Sequence, residues 1–240
     1  MFDNKKYDYI AEYSDGLAHV VLNNMHGFID ENGNEIIPII YELAFDFIHG
    51  FARVTLNGKW GIIDKNGNIR INTIYDHLTD FNEGFAVAEL NNKFGLINKD
   101  GKEVIPIIYE SVNSYSEGLV GMLLNEKWGF LDSVGKVAIP FEYDDAGSFS
   151  EGLANVELDG KSGFIDKTGK VIIPLMYDFV DAFAEGLARV ELDGEYGFID
   201  KAGKEVIPLM YEDADNFCDG LACVKLDNKW ITIDKYGNNK

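Results

Sequence analysis

Residues 186–207 read GLARVELDGEYGFIDKAGKEVI, and the order of residue types in this stretch decides the fold class. From Leu187 to Leu192 apolar residues alternate with variable ones, the period of a half-buried strand rather than of a helix, whose faces return every 3.6 residues. Asp193-Gly194 follows, a pair suited to the two-residue hairpin turn in which both residues need positive φ. Glu195 to Asp200 is then the returning strand. The turn Asp200 to Gly203 places glycine where a left-handed residue is required, and Lys204 to Ile207 forms a third strand. Pro208 has no N–H to donate and is expected to end the ladder there.

The same pattern recurs along the whole chain of 240 residues with a shift of 34. One glycine column runs Gly16, Gly50, Gly84, Gly118, Gly152, Gly186, Gly220, and another runs Gly33, Gly67, Gly101, Gly135, Gly169, Gly203, Gly237. The third runs Gly27, Gly61, Gly95, Gly129, Gly163, Gly197 and breaks at Ile231. Six full copies occupy 16–49, 50–83, 84–117, 118–151, 152–185 and 186–219, with partial copies at 1–15 and 220–240. Helix-pair repeats share this period, but each glycine in a helix interior costs about 1 kcal/mol, so a glycine-rich unit points to strands.

The expected fold is therefore an all-β tandem-repeat array of seven units, each with about three antiparallel strands and a turn or single helical turn. A unit of this size buries too little to fold alone. Stacking is expected to join the columns Val20, Val54, Ala88, Met122, Val156, Val190, Val224 and Ile29, Ile63, Ile97, Leu131, Ile165, Ile199, Ile233 into one core. An open superhelical array is favoured over a closed ring of seven units. The two partial copies together hold 36 residues, enough to complete a ring, but three evident strands are fewer than a propeller blade uses.

The copies KWGIIDKNG (59–67), KFGLINKDG (93–101), KWGFLDSVG (127–135), KSGFIDKTG (161–169) and EYGFIDKAG (195–203), with a Gly-Leu-Ala start and an Ile-Pro-x-x-Tyr-Asp/Glu finish, resemble the bacterial WG-repeat family over essentially the whole chain. The resemblance implies a β-rich module that acts as an interaction or scaffold element, without a general catalytic activity. His26, Phe94, Ser162 and Tyr196 stand where the family places tryptophan, and Asn72 replaces the proline.

Composition narrows the function further. With 41 acidic and 21 basic residues, a formal charge of −20 repels nucleic acid. No apolar run reaches the ~18 residues of a membrane helix, and MFDNKKYDYI has no apolar signal core, so a soluble chain is expected, cytoplasmic in preference to secreted. Cys218 and Cys223 match neither a redox pair nor a zinc site, and His19, His26, His49 and His77 have no metal-ligand spacing. The acid-rich turn Asp30 to Glu35 lacks the calcium-loop ladder. No nucleophile motif or phosphate loop is present, so neither catalysis nor a cofactor is expected.

Binding is expected where copies differ on a common face. One variable column reads His19, Arg53, Val87, Gly121, Asn155, Arg189, Cys223, and the next reads Val21, Thr55, Glu89, Leu123, Glu157, Glu191, Lys225. His19, Arg53, Asn155, Arg189 and Lys225 are the candidate contacts for a protein or peptide partner. The rings Trp60, Trp128, Tyr196 and Trp230 carry the alternative, a glycan-binding module with stacking platforms.

Overall fold

The computed structural model describes residues 6–240, which form seven antiparallel sheets and no α-helix. Internal contacts divide the chain into two units, Met1–Tyr109 with three sheets and Glu110–Lys240 with four. The sheets span 9–41, 43–75 and 77–109 in the first unit, and 111–143, 145–177, 179–211 and 213–234 in the second.

The sheet over 179–211 shows the common plan. Phe179–Val180 pairs with Leu187–Leu192, then Glu195–Asp200, then Glu205–Tyr211 on the outside. The central hairpin follows from its turn: Asp193 and Gly194 both have positive φ, 52° and 81°, matching the strands' right-handed twist. Asn, Asp or Gly fills this turn in every copy but one, where Glu126 takes φ 62°.

Two features go beyond the three expected strands. The outer strand does not stop at Pro208 but runs through it to Tyr211. It is an edge strand, so a missing N–H deprives no neighbour, and its register shifts as it crosses Gly197. A Cβ at Gly197 would lie 2.7 Å from the Ile207 carbonyl oxygen and 2.8 Å from the Leu209 nitrogen, so the crossing requires glycine. In the last copy Ile231 stands in place of the glycine, and among the described residues the outer side of its three-stranded sheet carries only the bridge between Ile233 and Asn239.

The segment after the outer strand, expected as a turn, instead starts the next sheet. Tyr211 closes one sheet and Asp213–Ala214 opens the following one, so a single residue, Glu212, separates the two memberships. This hand-over supplies the first strand of six of the seven sheets and makes five of them four-stranded.

Within each unit, successive sheets pack face to face. Leu187, Phe198, Ile207 and Tyr211 of one sheet meet Ala214, Phe217, Ala222, Val224 and Ile233 of the next. The same positions form the layer between 9–41 and 43–75, where Phe28, Ile37 and Tyr41 meet Phe47, Val54 and Ile63. Both expected core columns, Val20 to Val224 and Ile29 to Ile233, are at most 1% exposed in every copy. Such continuous burial is what a repeat too small to fold alone requires.

The acid that follows each outer-strand tyrosine anchors the hairpin turn of the sheet that comes next. Asp144 and Asp178 accept from the N–H of Asp159 and Asp193, the first residue of the next hairpin turn, both at 2.8 Å. Glu42 and Glu212 accept from Gly58 and Asn228, the second turn residue, at 2.7 and 3.0 Å. The longer side chain reaches one residue further, so Asp and Glu fill one role by different bonds.

Candidate binding surface

The variable columns and the aromatic column meet at the hairpin end of each sheet. Register places Thr55 opposite Trp60, Glu157 opposite Ser162, Glu191 opposite Tyr196 and Lys225 opposite Trp230, with the Arg53 or Arg189 position two residues further along the same face. That face is not an open solvent surface. In a stacked sheet the neighbour covers it, so alternation here distinguishes two packed faces rather than an inside from an outside.

Arg53 therefore works between sheets. Its guanidinium lies 4.4 Å from the Phe45 ring centroid and 5.5 Å from that of Trp60, within cation–π range. It donates to the Leu78 carbonyl of the next sheet at 2.9 Å and to Asp80 at 2.7 Å. Arg189 reaches the corresponding carbonyl with partly different neighbours: it donates to the Ala214 carbonyl of the next sheet, pairs with Asp181 of its own sheet at 2.6 Å, and lies over Phe179 and Tyr196 at 5.6 and 5.5 Å. Glu191 holds the Tyr196 hydroxyl and raises its pKa, with desolvation adding to the effect.

The first sheet fills the same place with histidines. His19 Nε2 and His26 Nδ1 are 2.7 Å apart, and with centroids 4.9 Å apart and planes at 15° the rings lie edge to edge, one nitrogen donating to the other. Desolvation lowers the His19 pKa, the neighbouring His26 lowers it further, and Asp46 opposes both. Desolvation also lowers that of His26.

The remaining candidates sit in different surroundings. Trp128 is buried at 9% exposure in the layer between 111–143 and 145–177, whereas Trp230, on the last sheet, is 52% exposed. Lys225 reaches Glu212 at 3.4 Å. Asn155 lines a notch with Ser162, and Trp60 is half-buried beneath Phe45, Arg53 and His77. The structure thus brings Arg53 to Trp60 and Arg189 to Tyr196, each as an intramolecular pair.

The acid-rich turns are satisfied internally. Asp30 Oδ1 accepts from the N–H groups of Asn32 and Asn34 at 2.9 and 2.8 Å, and Asp166 Oδ1 from those of Thr168 and Lys170 at 2.8 and 3.1 Å. Among the described residues no group of three or more His, Cys, Asp or Glu is placed to hold a metal ion. Cys218 and Cys223 are free and exposed.

One surface was missed by the sequence reasoning. The residue before the outer-strand tyrosine is Ile40, Ile74 and Ile108 in the first unit, and Met176 and Met210 in the second, each between 45% and 51% exposed. Glu142 takes this position in the sheet over 111–143. The signal was present as an apolar column with no place in either core column. It was hidden by taking proline as the end of the strand.

Comparison with solved structures finds a similar fold in a eukaryotic initiation factor, at 12% identity and a TM-score of 0.55, covering 90% of this chain and 70% of that one. A dihydro-heme d1 dehydrogenase matches at 10% identity and a TM-score of 0.46, covering 98% of this chain and 65% of the other. No curated protein matches the sequence. The model of the WG containing repeat matches six times, at residues 27–60, 60–94, 94–128, 128–161, 163–196 and 196–230. With the glycine that each outer strand crosses repeating through those segments, the chain belongs to the WG-containing repeat family.

Proposed function

We propose that the protein is a non-catalytic scaffold that binds an extended segment of a protein partner along the outer strands of its sheets. The observation that carries this reading is the column Ile40, Ile74, Ile108 and its counterpart Met176, Met210, large apolar side chains held about half exposed at the same place in successive sheets. Isolated exposed apolar residues need no explanation, but a regular series of them marks an interaction surface.

The chemistry of the strand favours side-chain docking over strand addition. Pro38, Pro106, Pro174 and Pro208 lie within the outer strands and interrupt the N–H groups that an added strand would pair with. Packed sheets lie about 10 Å apart, and an extended polyproline-type chain advances about 9 Å in three residues. A partner with an apolar side chain at every third position would therefore meet successive sheets, and a net charge of −20 favours basic residues between them.

Selection of displayed random peptides on the purified chain tests this. The expected ligands carry apolar residues three apart and lose about tenfold or more in affinity when Ile74 or Met176 is changed to Lys, a loss of about 1.4 kcal/mol. Ligands that bind both Lys variants as tightly as the parent chain would remove the outer strands from the function.

A further inference from the structure

The notch between the sheets over 145–177 and 179–211 lacks a group that other layers possess. In the sheet over 43–75, Phe45 and Trp60 enclose Arg53, whose guanidinium bonds the Leu78 carbonyl of the next sheet. At the equivalent positions of the sheet over 145–177 stand Gly147, Ser162 and Asn155, and the carbonyl corresponding to Leu78 is that of Val180. Both rings and the guanidinium are missing together. A cavity of about 30 Å³ remains, lined by Asp145, Asn155, Glu157, Ser162, Phe179 and Val180.

The groups around this cavity are those that an arginine would satisfy. Asp145 and Glu157 are directly opposite one another on paired strands, a destabilising juxtaposition of like charge. The same position pairs His77 with Glu89 and Asp213 with Lys225 elsewhere, so the two-carboxylate combination is peculiar to this sheet. Neither carboxylate has a cation partner among the described residues; Asp145 Oδ1 accepts only the N–H of Ala146, at 2.8 Å, and Lys161 is engaged by Asp178 at 2.6 Å. Ser162 is only 6% exposed, lines the cavity, and its hydroxyl makes no hydrogen bond with the described residues. No side chain among them donates to the Val180 carbonyl.

We propose that this notch is a binding site for an arginine side chain supplied by a partner protein. The incoming guanidinium would take the place that Arg53 and Arg189 occupy in their own layers, donating to the Val180 carbonyl and to the carboxylates of Asp145 and Glu157, with the Ser162 hydroxyl accepting a further N–H. A water-sized occupant needs about 10–15 Å³ of such space, so the enclosed part admits about two guanidinium nitrogens. A planar fork of donors can span two carboxylates and a carbonyl, which the point charge of a lysine cannot do. The site uses none of the outer-strand residues, so it stands independently of whether they bind.

Titration of the full chain with N-acetyl-arginine amide, followed by amide chemical shifts, tests the assignment. Saturable shifts are expected at Asp145, Glu157, Ser162 and Phe179, while the uncharged citrulline analogue leaves them in place. Asn155→Arg supplies the chain's own guanidinium, as Arg53 and Arg189 do, and is expected to abolish the response while retaining or raising the melting temperature. Glu157→Gln, which removes one carboxylate without changing size, is expected to weaken binding about tenfold. Equal shifts with citrulline, no saturable response to arginine, or undiminished binding by Glu157→Gln would each overturn the proposal.

Discussion

A small number of side chains in each copy are fixed by backbone geometry rather than by packing, and the glycine after the aromatic is the clearest of them. At Gly163 a Cβ would lie 2.5 Å from the Ile173 carbonyl oxygen and 2.6 Å from that of Pro174, both main-chain atoms that a side-chain rotation cannot move aside. Gly163→Ala is therefore expected to destabilise the chain by about 3 kcal/mol, at the upper end of overpacking costs, as read from the urea midpoint. The histidine pair is a second residue-scale case, with its own sign. Desolvation lowers both pKa values in the folded state, so the unfolded chain binds more protons and stability falls as pH drops below about 6.5. The double variant His19→Arg/His26→Trp installs the Arg53 and Trp60 combination. Its stability is expected to change less than that of the parent between about pH 7.5 and about pH 5.5, the range over which histidines of the unfolded chain take up protons.

At the scale of the element, turn chemistry accounts for most of what could be read in advance. Asp193-Gly194 and its equivalents announce their hairpins, because few residue pairs tolerate two consecutive positive φ values. Glu126 is the exception, with φ 62° and no Gly or Asn character to relieve it. Glu126→Gly is expected to stabilise the chain by about 1 kcal/mol, the cost of a left-handed residue bearing a Cβ, measured by chemical denaturation. The outer strand was harder to read because proline is a reliable stop only inside a sheet, and Pro208 lies on its edge. The two-residue strand Asp213–Ala214 was not legible at all, since two residues have no period and their pairing with Val224 and Lys225 is set by the preceding strand's exit. The candidate surface was half legible for the same kind of reason. Cross-strand register predicts that Arg53 and Trp60 are neighbours, but only the next sheet decides that they are covered.

For the molecule as a whole, the strict 34-residue period means that corresponding groups in different copies are interchangeable partners, which can be tested by removing one copy. Deleting 152–185 in the second unit joins Glu151 to Gly186 and brings the sheet over 111–143 against the hairpin of 187–200. Leu119, Trp128, Phe130, Ile139 and Tyr143 keep Ala146 and Phe149, and meet Ala188, Val190 and Ile199 in place of Ala154, Val156 and Ile165. The polar links survive as well. Asp144, which now accepts from the Asp159 N–H, would accept from that of Asp193, and Glu117, now bonded to the Gly152 N–H and Lys167, would take Gly186 and Lys201. Nearest-neighbour energetics then predict a chain that retains cooperative unfolding and native-like β circular dichroism, with a urea m-value lower by about one seventh because that share of the surface is gone. A deletion of 152–181, four residues short of the period, removes a similar length but puts Asp144 and Glu117 out of register with every partner. It is expected to lose the cooperative transition. Equivalent unfolding curves for the two deletions would show that stacking is governed by apolar content rather than by the position-by-position matching of one copy to the next.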